Sequence, residues 1–139
     1  MAFSCNTPPK SHEVFIMKKD ALIGVYDFNL DLSDSLSKYD IKLFSSLDRA
    51  DDRKEDSKQI KLSISLFSPS NEIFSEVVYI PRDKLIRESR SSKFYFLPYR
   101  ADIIPPEYGD WSMRIKMEND EGVRGLGVQL IKKNLPKIE

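Results

Sequence analysis

Few side chains in this sequence can do chemistry. Cys5 is the one cysteine and His12 the one histidine in 139 residues. A single thiol excludes an internal disulfide framework and a multi-thiolate metal site. Nucleophilic catalysis needs a base beside the nucleophile, and His12 lies in an N-terminal stretch that reads as tether, which disfavours Ser-His and Cys-His pairs. His12-Glu13 reads more simply as an exposed polar pair. Carboxylate pairs for glycoside chemistry would come from Asp27, Asp31, Asp102, Glu107 or Asp110. The first two fall on the polar face of an alternating segment, where solvation accounts for them. Gly122, Gly125 and Gly127 have a G-x-x-G-x-G spacing, but in a strand–turn–strand setting with no helix to offer amides to an anion. A bulge or a close inter-strand approach explains them better. The chain is therefore expected to be non-enzymatic, with no cofactor and no metal.

Two further stretches are rich in charge. Arg82, Lys84, Arg87, Arg90 and Lys93 beside Phe94, Tyr95 and Tyr99 resemble a single-strand nucleic-acid platform in composition. Alternation would turn half of those aromatics into the core, and 22 basic residues against 22 acidic leave no net charge. Nucleic acid is not an expected partner. Asp48 to Lys58 is almost wholly charged with mixed signs and reads as a solvated hairpin loop. Its interleaved Arg and Lys oppose a calcium site.

The elements that would position these residues are strands. Apolar residues make up 40% and charged residues 32% of the chain, a globular composition with room for one domain. Tyr26, Phe28, Leu30 and Leu32 alternate with Asp27, Asn29 and Asp31, the period of a half-buried strand. Tyr39, Ile41, Leu43 and Leu47 predict a second, with Phe44 on the opposite face marking a bulge or a two-sided position. Ile60, Leu62, Ile64 and Leu66, the turn Ser68-Pro69-Ser70-Asn71, and Ile73–Ile80 predict a hairpin. Arg82 to Lys93 has room for one helical turn but no amphipathic stripe. Phe94–Tyr99, Trp111–Met117 and Val123–Lys132 complete seven to eight strands. The spacing predicts an all-β antiparallel β-sandwich, Ig-like, with Trp111 between the sheets. The domain spans 21–133, preceded by a flexible tether over 1–20 and followed by a loose tail over 134–139.

Cys5 carries two readings: an inert thiol at a frayed end, or the first mature residue of a bacterial lipoprotein. The residues before it are too few to hold a secretory signal, so the second reading expects the signal peptide to have been removed. Several segments resemble one family. Val25-Tyr26-Asp27-Phe28-Asn29-Leu30-Asp31-Leu32 with Tyr39-Asp40-Ile41 resembles the opening strands of the gliding-motility lipoprotein GldH family of the Bacteroidetes. Ile60 to Asn71 is similar to its central strand and turn, with Asn71 where Gly is usual. Pro105-Pro106-Glu107-Tyr108-Gly109-Asp110-Trp111 resembles the approach to its penultimate strand. Glu121 to Lys133 resembles its terminal glycine-containing stretch. The resemblance covers about Cys5 to Lys133; Arg82–Lys93 is shorter and poorer in glycine and tryptophan than the family's connection.

The resemblance implies a lipid-attachment role for Cys5, a non-catalytic accessory or partner-binding protein, and other cell-envelope proteins as partners. It implies attachment to the membrane through the lipid, at the outer membrane facing the periplasm, in a motility- or secretion-associated role. Tyr99, Tyr108, Arg82, Arg87 and Arg90 are the candidate partner-binding residues. The alternatives are a carbohydrate-binding β-sandwich and a cytosolic or phage-derived structural domain.

Overall fold

The computed structural model describes residues 10–48, 60–80, 85–88, 92–118 and 122–135. Among them nine strands form: β1 (Lys10–Met17), β2 (Val25–Leu32), β3 (Ser37–Asp48), β4 (Ile60–Phe67), β5 (Ile73–Ile80), β6 (Leu85–Glu88), β7 (Ser92–Ile103), β8 (Gly109–Glu118) and β9 (Val123–Asn134). A single 3-10 turn, Lys18–Asp20, follows β1. The charged stretch 49–58 lies outside the described residues.

Alternation builds the core. Tyr26, Phe28, Leu30 and Leu32 are buried while Asp27, Asn29 and Asp31 are exposed, and β8 repeats the pattern with Trp111, Met113, Ile115 and Met117. Successive side chains of a strand point to opposite faces, so these rows meet Ile60, Leu62 and Ile64 of β4 and Tyr39, Ile41, Leu43 and Leu47 of β3 in one core. Phe44 points outward, as its position against the alternation predicts, and its ring lies over Gly127. Asn71 adopts φ 68° and closes its turn by donating to the Ser68 carbonyl at 2.9 Å. Asparagine tolerates that left-handed conformation, which explains how it stands where glycine would otherwise serve.

All pairings are antiparallel and make two sheets, ordered β1-β9-β3-β7-β6 and β2-β8-β4-β5. The all-β antiparallel sandwich is as the sequence predicts; β1 and the four-residue β6 bring the described strands above eight. In connectivity the sandwich departs from the expected Ig-like arrangement. An immunoglobulin domain pairs its first two strands in one sheet. Here β1 and β2 lie in different sheets, and the chain changes sheet at nearly every connection except the β4–β5 and β6–β7 hairpins. That interleaving is the jelly-roll order. Strand count and alternation are alike in both arrangements, so the difference rests on which distant edges pair.

Two boundaries also move. The tether expected over 1–20 is shorter, because Lys10–Met17 is a strand running in unbroken register from Lys10↔Lys132 to Met17↔Gly125. Only Ile16 in it is half-buried, so the segment carries almost no periodic signal, and β9 supplies its ladder. The tail begins later than residue 134, since the Leu135 N–H donates to the Leu36 carbonyl at 3.0 Å. In place of the helical turn given room between Arg82 and Lys93, Leu85–Glu88 pairs with β7 as an edge strand.

Candidate functional site

Where β2, β4 and β7 end and β5 and β8 begin, the two sheets part to leave an open groove of about 360 Å³. Leu30, Leu32, Ile41, Leu66, Phe74 and Trp111 form its walls, and Ile103-Ile104-Pro105-Pro106 forms its lip. Trp111 is only 4% exposed; its indole N–H donates to the Glu107 carbonyl at 2.8 Å, and its ring lies 5.8 Å from that of Phe74. Ser70 Oγ donates to Glu107 Oε2 at 2.6 Å, which ties the β4–β5 turn to the loop on the other side of the groove. Prolines at 105 and 106 keep that loop extended and hold Ile104, 59% exposed, at the mouth.

The groove has one ionic feature. Glu76 on β5 accepts from the Tyr99 hydroxyl and the Arg100 guanidinium on β7, bridging the two sheets. The guanidinium also stacks 4.2 Å from the centre of the Tyr99 ring. Arg100's hydrogen bond holds the Glu76 carboxyl below its ordinary range, and burial, with the Glu76 hydrogen bond, pushes the Tyr99 hydroxyl well up. The three groups satisfy one another, leaving the walls apolar.

A second polar cluster nearby ties β3, β7 and β9 together within the five-stranded sheet. Lys133 Nζ lies 2.6 Å from Asp40 Oδ2 and 3.0 Å from Asp102 Oδ1, Lys38 lies 3.3 Å from Asp102, and the Asp102 N–H donates to Asp40 at 2.7 Å. Burial raises the Asp40 carboxyl, but the Lys133 and Asp102 hydrogen bonds outweigh it and the net shift is downward.

Three of the carboxylates that could serve glycoside chemistry are engaged separately. Asp27 pairs with Arg114 at 2.8 Å, Asp102 with the lysines, and Glu107 with Ser70. Asp31 and Asp110 are cross-strand partners and line a polar cleft with His12, Tyr39 and Lys132. A glycosidase acid needs a raised pKa; hydrogen bonds from Ser33 lower that of Asp31. Among the described residues no group of three or more His, Cys, Asp or Glu could hold a metal.

Of the predicted contact residues, Tyr99 is 6% exposed and faces inward, so it supports the groove wall instead of presenting a surface. Tyr108 is half-buried against the core. Arg87 sits on the edge strand β6; Arg82, Arg90 and Cys5 lie outside the described residues. Sequence reasoning missed the groove because its walls come from strands of both sheets. The one local signal was the apolar, proline-held run Ile103–Pro106. Comparison with known proteins finds no protein-family model and no curated protein that matches this chain.

Proposed function

We propose that this chain is a non-catalytic binding module of the bacterial cell envelope, attached to the membrane through lipid on Cys5 and of the GldH gliding-motility or secretion-associated type. The observation that carries the binding role is the groove. Its walls are apolar, and its ionic groups are spent on each other, so it favours an apolar segment of another envelope protein over a charged substrate. The lipid anchor and outer-membrane placement draw their support from the sequence resemblance and from Cys5. A zero net charge gives the domain as a whole no electrostatic pull towards anionic lipid, so stable attachment would come from acyl chains. A carbohydrate-binding reading gains less support, because Trp111 turns its face into the core instead of offering a stacking platform.

Metabolic labelling with a lipid precursor tests the anchor: the intact gene product takes up label and Cys5→Ala does not. A photo-crosslinking residue at Ile104 tests the groove, with cross-links to an envelope protein expected. Absence of label on the intact product overturns the anchor, and absence of cross-links overturns the groove as the contact.

A further inference from the structure

A sheet edge exposes unpaired backbone N–H and C=O groups, and proteins blunt such edges with charge, proline, bulges or shortness. Among the described strands, three of the four sheet edges are blunted. On β1, Lys10 and Glu13 are exposed, as are Asp27 and Asp31 on β2, and β6 is four residues long. β5 is different. It runs eight residues, Ile73–Ile80, in unbroken register with β4 from Ile60↔Ile80 to Phe67↔Ile73, with no proline and no lysine. Its one charge, Glu76, points between the sheets and is neutralised by Arg100. On its outer face Ile73, Val77 and Tyr79 are 62%, 50% and 48% exposed, and Phe74 on the inner face is 43% exposed.

We infer that β5 is a self-pairing edge, and that two copies of this chain join their four-stranded sheets antiparallel through it. A two-fold interface must be self-complementary, and of the two symmetric registers that pair most of this strand, centred on Glu76 or on Val77, one meets that condition. Outer residues must oppose outer residues for the pleats to match, which limits the symmetric choices. Centring on Glu76 would oppose two carboxylates. Centring on Val77 places Val77 against its copy on the outer face, sets Ser75 opposite Tyr79, and on the inner face opposes Phe74 with Ile80 and Glu76 with Val78. Aromatic and β-branched cross-strand pairs of this kind stabilise a ladder, no like charges stand directly opposite, and each Glu76 keeps its own Arg100. The backbone groups of the edge, which only another strand can satisfy in register, name the occupant as a strand; its own symmetry names it as a second β5. The inference stands independently of the lipid anchor and of the groove's partner.

Sedimentation equilibrium of the full chain, carried from low micromolar to millimolar concentration, tests it with Val77→Lys and Val77→Thr. Val77 is solvent-facing, so both variants fold, which circular dichroism verifies. The parent and Val77→Thr are expected to shift from monomer to dimer as concentration rises. Val77→Lys, which sets two ammonium groups face to face on the axis, stays monomeric throughout. A parent that is monomeric at every concentration, or a Val77→Lys variant that dimerises as the parent does, overturns the proposal.

Discussion

Gly127→Ala tests how the outer face of the larger sheet is built. Gly127 lies between Phe15 of β1 and Phe44 of β3, and the two rings stack 5.8 Å apart with planes 16° from parallel. A methyl group on Gly127 would fall 2.1 Å from Phe44 Cζ and 2.4 Å from Cε2. Carbon atoms rest at about 3.5–4.0 Å, so the ring must retreat by about 1.5 Å. Lifting it towards solvent uncovers on the order of 50 Å² of apolar surface, or about 1.3 kcal/mol. Leaving its preferred rotamer costs about 1 kcal/mol more. Alanine in a strand recovers about 0.5–1 kcal/mol relative to glycine. The net expectation is a loss of about 1–2 kcal/mol. Removing the ring first reverses the sign: in a Phe44→Ala background, Gly127→Ala is expected to stabilise by about 0.5–1 kcal/mol, a coupling of about 2 kcal/mol. Urea denaturation of the four proteins, followed by the fluorescence of Trp111, the only tryptophan, measures it. Equal effects of Gly127→Ala in both backgrounds would refute the argument that the glycine exists to seat the ring.

Three further outcomes are expected. Ile23 and Gly24, at φ 47° and 73°, turn the chain between Leu22 and Val25 as a type I′ hairpin turn, where asparagine is favoured and a β-branched residue is strained. Ile23→Asn should therefore raise stability by about 1 kcal/mol, read as a higher Tm; a lower Tm contradicts the strain. Glu76→Gln should cost about 0.5–1 kcal/mol, as expected for a partly solvated pair, and bring the Tyr99 hydroxyl back towards its ordinary range. Ultraviolet titration, read as the difference from a Tyr99→Phe control, follows this hydroxyl among the six tyrosines, and a Tyr99 titration unchanged by Glu76→Gln would show burial alone to be responsible. The lowered carboxyl of Asp40 adds stability that is present above its unfolded value near 3.8 and disappears as pH falls through the folded value. Asp40→Asn should thus lower the urea midpoint at neutral pH and flatten its fall below about pH 4; an unchanged acid limb would place the titration elsewhere.

Much of the fold was legible locally. Tyr26–Leu32, Ile60–Ser65 and Trp111–Met117 each alternate because each has one face in the core and one turned away from it, and burial follows that pattern residue by residue. The β4–β5 turn was legible for a similar reason, since Ser68-Pro69-Ser70-Asn71 supplies its own hydrogen bonds. β1 was not legible. It buries almost nothing, so its sequence holds no period, and it is a strand only because β9 offers it a ladder. The same dependence hid the jelly-roll order, which rests on pairings between residues more than a hundred positions apart, such as Lys10 with Lys132.

The site divides along the same line. Scarcity of thiol and imidazole, balanced charge and the place of Cys5 are properties of the chain itself and hold in any fold. Tyr99 shows what the chain alone could not decide: its aromatic, basic neighbourhood reads as a surface, yet its hydroxyl spans the sandwich to Glu76, twenty-three positions away in sequence. The groove over Trp111 likewise exists only where two sheets part. The amino-acid sequence determined which residues must leave water, because hydrophobic burial follows from side-chain type and local period. Tertiary structure decided which of them meet, because pairing between distant edges depends on the whole arrangement of strands at once.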